Sequence, residues 1–205
     1  MDSLVYTRQK DIPLKLSPNV AIAGCGGVGS WVAILLAMSG VGELHLFDAD
    51  TVGIENLNRL PFGPDTVGKL KVQVLRGFII GIRPKARVYS YPMMFNKMLL
   101  AMGPKLLVDC TDDGASQREI YQACKGRVPY IRAGCNGIDH WTISSSVPGW
   151  GSGGQGRYDV VPSWVAPAVL TACLAVFKAL YQDADFSGGL EDIANIVGLE
   201  SECGL

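Results

Sequence analysis

The fold is decided by the stretch Asn19–Arg59, which reads NVAIAGCGGVGSWVAILLAMSGVGELHLFDADTVGIENLNR. It opens with a short apolar run, Val20–Ala23, of the kind that forms a buried strand. A glycine-rich loop and a helical pattern follow, and a second apolar run, Leu44–Phe47, ends at Asp48. This strand–loop–helix–strand order, with an acidic residue about 20 positions beyond the first glycines, is typical of nucleotide-binding units.

The loop contains four glycines: Gly24, Gly26, Gly27 and Gly29. Glycines let the backbone turn tightly and approach a phosphate, and the helix that follows offers unpaired N–H groups to the anion. We therefore predict that this loop binds phosphate and that Asp48 binds a ribose. A tight turn without a ligand, and a surface carboxylate at a strand end, are the alternatives.

Composition sets limits on the kind of protein. A chain of 205 residues with 48% hydrophobic content predicts a single domain, 1–205, with an arm at 1–18, a glycine-rich loop at 148–160 and a tail at 183–205. The net charge of −1 does not indicate a polyanion-binding surface, and we expect no secretory signal at the N-terminus. The six cysteines include no C-x-x-C pair. We expect reduced thiols, no zinc site and a cytoplasmic protein, although cysteine pairing stays open.

The rest of the chain alternates strands with helices, which predicts an α/β, Rossmann-like, doubly wound and mostly parallel sheet with helices on both faces. Predicted helices cover 68–82, 96–102, 115–125, 164–181 and, weakly, 190–197, and predicted strands cover 86–91, 106–110, 130–133 and 141–147. The segment Trp164–Tyr181 is apolar nearly all round, but it carries Pro167 and Lys178, so we expect it to be buried in protein and not in a membrane. Asp48 and Asp112 both follow strands and should converge at one edge of the sheet.

The polar residues downstream favour chemistry on a nucleoside triphosphate. They are Asp50, Asn56, Asn58, Arg59, Lys69, Lys71, Asp112 and Asp113. Cations suit a pyrophosphate leaving group, and a carboxylate suits magnesium. Hydride transfer is disfavoured, because the two histidines, His45 and His140, have no evident catalytic partner in the sequence.

These residues resemble the ThiF/MoeB-type adenylyltransferases, which are related to the ubiquitin-activating enzymes. The motifs that match are GCGGVGS (24–30), GVGELHLFDADTV (40–52), ENLNR (55–59), VGKLK (67–71), DCTDD (109–113), the apolar helix after VVP (160–162) and the Y-x-R-Q of the arm (6–9). The resemblance covers nearly the whole chain in order, and the combination of motifs is specific to this family.

The resemblance implies that ATP reacts with the C-terminal glycine carboxylate of a ubiquitin-like or sulfur-carrier protein, giving an acyl-adenylate and pyrophosphate. It places Asn56, Arg59 and Lys71 on the phosphates and Asp112 on magnesium. Arg8 would reach across a homodimer into the partner's site. The alternatives are surface lysines at Lys69 and Lys71, a helix cap at Asp113, and a charge on a disordered arm at Arg8. Asp50, Asn58 and Asp113 complete the predicted nucleotide-binding set.

The chain departs from its relatives in several places. Many relatives have two C-x-x-C pairs that bind zinc, and both are missing here; the loop at 148–157 has no cysteine, and Leu60 stands where glutamine is usual. We therefore expect adenylation without an intramolecular thioester at Cys135 or Cys203. Two other functions remain open: activation of a carboxylate on a modified tRNA base, as in threonylcarbamoyl-adenosine dehydratases, and a non-catalytic subunit of a heterodimer.

Overall fold

The computed structural model describes residues 2–137, 140–147, 162–181 and 184–189 together with Asp192. The helices in this part of the chain are α1 (Asp2–Val5), α2 (Gly27–Met38), α3 (Lys71–Ile82), α4 (Gly114–Cys124) and α5 (Val165–Leu180). The strands are β1 (Val20–Ala23), β2 (Glu43–Phe47), β3 (Arg87–Tyr91), β4 (Leu106–Asp109), β5 (Tyr130–Cys135), β6 (His140–Ser144) and β7 (Phe186–Gly189). Short 3-10 helices lie at Thr7–Gln9, Ile54–Asn56, Pro64–Thr66 and Lys97–Met102.

One sheet organises these elements in the order β3-β2-β1-β4-β5-β6-β7. The strands from β3 to β5 pair in parallel, whereas β5–β6 and β6–β7 are antiparallel. The register pairs Ala23 with both Phe47 and Asp109, so β1, β2 and β4 end at the same edge. The predicted Rossmann-like, mostly parallel fold is confirmed, and so is the convergence of the segments that follow β1, β2 and β4.

Each face of the sheet has its own apolar core. On one face Val20, Ile22 and Val108 pack with residues of α2, α3 and α5, and on the other Ala21, Ala23 and Leu107 pack with α4 and the 97–102 helix. The alternation along β1 and β4 follows from the two-residue period of a strand that is buried on both faces.

The apolar helix α5 packs on α2 with one face and exposes the other. Ala168, Ala172 and Ala175 are fully buried or nearly so, whereas Val165, Cys173 and Phe177 are exposed. Burial was therefore predicted correctly for one face of this helix and not for its whole circumference. Within the described residues, no helix is long and apolar enough to cross a membrane.

Several boundaries differ from those predicted. Helix α3 begins at Lys71 instead of Gly68, because Gly68 has a left-handed backbone (φ +83°) and Leu70 is bridged to Thr51. Strand β7 was not predicted, because its sequence FSGG includes two glycines and shows no alternating pattern. The predicted loop at 148–160, the predicted helix at 190–197 and Cys203 lie outside the described residues.

Candidate functional site

The glycine loop joins β1 to α2 and is fixed by the strands beside it. Gly24 has a left-handed backbone (φ +84°), and a Cβ on it would lie 2.9 Å from the Cys110 carbonyl oxygen. A Cβ on Gly29 would overlap the Gly24 carbonyl oxygen. Nothing lies within 4 Å of the position that a Cβ would take on Gly26, which precedes the first turn of α2. The loop is therefore closed toward the protein at Gly24 and Gly29 and open at Gly26.

Asp48, at the end of β2, lies directly against this loop. Its Oδ2 accepts a hydrogen bond from the Cys25 N–H (2.7 Å), and its Oδ1 accepts one from the Asp50 N–H (2.8 Å). The residue is 8% exposed. An ionised carboxylate offers about four acceptor positions, so the two backbone bonds leave capacity for ribose hydroxyls. Asp48 lies where the sequence predicted a ribose-binding carboxylate.

The connector between β2 and α3 closes on itself and brings Lys71 back to this edge. Thr51 and Leu70 form a bridge, and the Lys71 N–H donates to the Asp50 carbonyl (3.0 Å). The Lys71 ammonium then pairs with Asp50 Oδ2 at 2.8 Å, with only 12% of the lysine side chain exposed. Lys69, in contrast, is exposed. The structure thus places Lys71 near the glycine loop and Lys69 on the surface, and the predicted contact of Lys71 with phosphates stays a prediction.

The thiol of Cys25 reports the charges around the loop. Burial raises its pKa well above the ordinary value, and the nearby Asp48 and Cys110 raise it further. The positive charge of Lys71 lowers it and so opposes them. Asp48 and Lys71 therefore shift the pKa of the same buried thiol in opposite directions, and both lie near the glycine loop.

Arg59 crosses the start of α2. A Cβ on Gly27 would lie 3.1 Å from the Arg59 Cδ, so the arginine stem runs over the first residue of the helix. The indole Nε1–H of Trp31 donates to the Arg59 carbonyl (3.0 Å) and fixes its backbone. The Arg59 Nη1 donates to the Glu55 carbonyl (2.9 Å) and to the Asn58 Oδ1 (3.0 Å). The guanidinium has three further N–H donors, one on Nε and two on Nη2.

The two asparagines of the connector have structural contacts. Asn56 Oδ1 accepts from the Gly53 N–H (3.1 Å), which orders the 3-10 turn before Arg59. Asn58 Nδ2 donates to the Ser163 carbonyl (2.6 Å) and so ties the connector to the segment before α5. Their predicted role in nucleotide binding stays a prediction.

Asp112 and Asp113 follow β4 at the same edge of the sheet. Asp113 is the N-cap of α4, since its Oδ2 accepts from the Ser116 N–H (2.7 Å), and this bond lowers the pKa of its carboxyl. Asp112 is exposed, and within the described residues its carboxylate makes no hydrogen bond or ion pair. Asp113 thus caps α4, as the alternative predicted, and the role of Asp112 at magnesium stays a prediction.

Arg8 lies at the other end of α2. Gln9 Nε2 donates to the Ser39 carbonyl (2.8 Å), and the Tyr6 ring lies 3.5 Å from the Cβ position of Gly40. Because α2 has 12 residues, the arm contacts the molecule about 18 Å from the glycine loop. Arg8 therefore does not lie beside the site of its own chain.

His45 has a structural environment, in agreement with its predicted role. Its ring bonds Glu43 Oε1 (2.9 Å) and the Tyr91 hydroxyl (3.2 Å), and it stacks on Tyr89.

Two cavities, of about 510 and 610 Å³, lie away from the glycine loop, beside the 97–105 segment and beside the connector at 61–69. The five cysteines of the described chain are all free.

The ThiF family model matches residues 9–148. The chain belongs to the ThiF family. Among curated ThiF relatives, a ubiquitin-like modifier-activating enzyme 5 of Oryza sativa subsp. japonica is 34% identical over 122 residues, covering 52% of this chain and 29% of that protein. A tRNA threonylcarbamoyladenosine dehydratase of Haemophilus influenzae is 42% identical over 129 residues, covering 60% and 46%. The matched region thus spans less than half the length of these relatives.

Solved structures of the ThiF type share the fold. The E. coli tRNA N6-threonylcarbamoyladenosine dehydratase in complex with AMP superposes with a TM-score of 0.55 at 28% identity, covering 58% of this chain and 52% of that one. E. coli MccB with SeMet MccA superposes with a TM-score of 0.64 at 26% identity, covering 85% and 56%.

Proposed function

We propose that this chain uses ATP to adenylate a carboxylate and releases pyrophosphate. The observation that supports this most strongly is the return of the connector to the glycine loop. It lays Arg59 over Gly27, pairs Lys71 with Asp50 and brings the Lys71 charge near Cys25 of the loop. Two cations near the glycine loop suit a triphosphate whose leaving group gains negative charge. A relative of the same fold that is crystallised with AMP adds support for an adenine nucleotide.

The residues would act on ATP as follows. Backbone N–H groups at the start of α2 donate to phosphate oxygens, and the ribose hydroxyls bond to Asp48. A carboxylate oxygen of the substrate attacks the α-phosphorus, forming a new oxygen–phosphorus bond. The bond from the α-phosphorus to the bridging oxygen breaks, and its electron pair leaves with pyrophosphate. Arg59 and Lys71 stabilise the charge that develops on the leaving group.

A magnesium ion fits the residues present at this edge. Asp112 is an exposed carboxylate, and hard oxygen donors are the ligands that Mg²⁺ prefers. Within the described residues, no three potential ligands of the His, Cys, Asp or Glu type are grouped together. Asp112 would therefore hold the ion jointly with ATP phosphates, as is usual for Mg²⁺ sites. When bound, the ion would neutralise charge on the phosphates.

The substrate we favour is the C-terminal glycine carboxylate of a ubiquitin-like or sulfur-carrier protein. Several relatives are ubiquitin-like modifier-activating enzymes, and MccB was crystallised with MccA. We further propose a homodimer, because the arm that carries Arg8 contacts its own chain about 18 Å from the glycine loop, so that Arg8 would act in a partner's site. The proposed location is the cytoplasm.

A second candidate is supported by one comparison. The dehydratase relative has a higher identity over its matched region than the Oryza sativa relative, 42% against 34%, which favours activation of a carboxylate on a modified tRNA base. The third candidate, a non-catalytic subunit, is disfavoured because Arg59 lies over Gly27 and the charge of Lys71 lies near Cys25 of the loop.

Pyrophosphate exchange into ATP tests these candidates. We expect exchange that requires a small protein ending in glycine and that Lys71→Met reduces at least about 100-fold, the scale of removing one charge that stabilises a transition state. Lys69→Met is the matched control and should leave exchange unchanged, because Lys69 is exposed outside the loop. Exchange that requires modified tRNA supports the second candidate. No exchange with either substrate would reject adenylation.

A further inference from the structure

A buried polar cluster lies directly beneath the Asp112 turn. Its members are Asp109, Tyr130, Arg132 and Gln117, which are 0%, 6%, 2% and 2% exposed. Asp109 ends β4 and is paired in register with Arg132 of β5, so their side chains share one face of the sheet. Charged residues of this kind are rarely buried unless they are paired.

The cluster fixes Thr111, the residue before Asp112, at three points. The Thr111 N–H and its hydroxyl both donate to Asp109 Oδ1, at 3.0 and 2.7 Å. The Gln117 Nε2 donates to the Thr111 carbonyl at 2.5 Å. The backbone of Thr111 is therefore held on both of its peptide groups, and its side chain is held as well.

Asp109 is in turn held from β5. The Tyr130 hydroxyl donates to Asp109 Oδ2 at 2.7 Å, and burial together with the Asp109 charge raises the pKa of Tyr130, so it remains a donor. Burial lowers the pKa of Arg132, and the charge of Asp109 opposes that effect. A buried acid–base pair contributes little net stability compared with apolar residues of the same size. The role that remains for this pair is to fix geometry.

Asp112 lies between this anchored residue and the N-cap of α4. Asp113 is held by its bond from the Ser116 N–H at 2.7 Å. Both neighbours of Asp112 are thus fixed, whereas its own carboxylate is exposed and, in the described part of the chain, makes no hydrogen bond or ion pair. The backbone is therefore ordered on both sides of Asp112, whose side chain is left for a ligand.

We propose that Asp109, held by the Tyr130 hydroxyl and paired in register with Arg132, is a positioning residue that fixes Thr111 and so sets the place of the Asp112 carboxylate for a divalent cation. This inference rests on the proposed function. Asp109 and its partners do not touch the nucleotide or the metal in this scheme; they act through Thr111. Sequence reasoning missed them because Asp109 was counted within a strand, although a charge at the end of an apolar strand was the signal.

The test measures binding of Mn²⁺, a substitute for Mg²⁺, by the free-ion signal in electron paramagnetic resonance with a non-hydrolysable ATP analogue present. Thr111→Val removes the hydroxyl bond and should weaken Mn²⁺ binding about fivefold to tenfold, the order expected for the net contribution of one typical hydrogen bond. Thr111→Ser restores the hydroxyl and should bind Mn²⁺ as the native chain does. Binding of the analogue without metal should be unchanged in both.

A second pair keeps the test independent of folding at position 111. Tyr130→Phe removes the bond to Asp109 and should weaken Mn²⁺ binding to a similar extent. Tyr121→Phe is its control, because Tyr121 packs edge-to-face on Tyr130 at 5.3 Å without contacting Asp109 through a hydrogen bond in the described structure. Native affinity in both Thr111→Val and Tyr130→Phe would overturn the positioning role if Asp112→Ala loses the ion. Native affinity in Asp112→Ala would overturn the proposed metal site itself.

Discussion

Adding one methyl group at Gly26, and in a second variant at Gly29, should separate effects on nucleotide binding from effects on folding. Gly26→Ala places a Cβ where no atom lies within 4 Å, on a backbone with φ −75° that any residue adopts. Alanine is a poorer N-cap than glycine, but it also restricts the unfolded chain, and the two effects are each below about 1 kcal/mol. The two effects oppose each other, so the melting temperature should change by less than about 4 °C.

The same methyl group should harm nucleotide binding, because it would occupy the open space at the start of α2. We expect ATP affinity to fall at least about tenfold, which corresponds to about 1.4 kcal/mol. The loss arises from keeping a phosphate away from the helix N–H groups that would otherwise bind it.

Gly29→Ala, in contrast, should lower the stability of the fold. Its Cβ would overlap the Gly24 carbonyl oxygen and lie 2.9 Å from the carbonyl carbon and 3.2 Å from the Cys110 Cβ. Overpacking against backbone costs about 1–3 kcal/mol or more, so the melting temperature should fall by roughly 2–12 °C. This variant tests the packing of the loop before any effect on ligand binding.

The assay is calorimetric titration with ATP, together with thermal unfolding. Gly81→Ala in α3 is the matched control, since nothing lies within 4 Å of its Cβ position and its helical site is exposed. It should stabilise the fold by about 0.5–1 kcal/mol and leave ATP affinity unchanged. If Gly26→Ala binds ATP as tightly as the native chain, the phosphates do not approach this backbone and the reasoning is refuted.

Three further predictions concern other parts of the molecule. In mixed dimers of Arg8→Ala and Asp112→Ala chains, exchange activity should return to about half of native if Arg8 acts in the partner's site, whereas action within one chain would leave these dimers inactive. Hydrogen bonds from His45 and Arg87 lower the pKa of Glu43. Glu43→Gln should therefore lower the melting temperature at neutral pH, and the difference should shrink as pH falls through that lowered pKa; a pH-independent difference would contradict this. Alkylation followed by mass spectrometry should label the exposed Cys173 before Cys124, since burial raises the pKa of the Cys124 thiol to about 11; equal rates would contradict it.

Local pattern was sufficient to predict the elements that hold the nucleotide loop. The spacing of apolar residues and the positions of the glycines are enough to predict three elements. These are β1, the helix that begins at Gly27 and the strand that ends before Asp48. Asp48 was also predictable, because strands of a parallel unit end at one edge.

Features that depend on distant contacts were not predictable in the same way. The Thr51–Leu70 bridge closes a connector that looks open in sequence, and it moves the start of α3 to Lys71. The proposed role of Asp109 depends on the register that places Arg132 beside it across two strands separated by α4. Strand β7 forms because β6 offers an edge, although its own residues have low strand propensity.

A crystal structure with Mg²⁺ and a non-hydrolysable ATP analogue would test the central claim most directly. We expect the ribose against Asp48 and phosphate oxygens within about 3.2 Å of the Gly27 N–H and the Arg59 guanidinium. A nucleotide bound at another surface, or one whose phosphates lie away from both groups, would contradict the account.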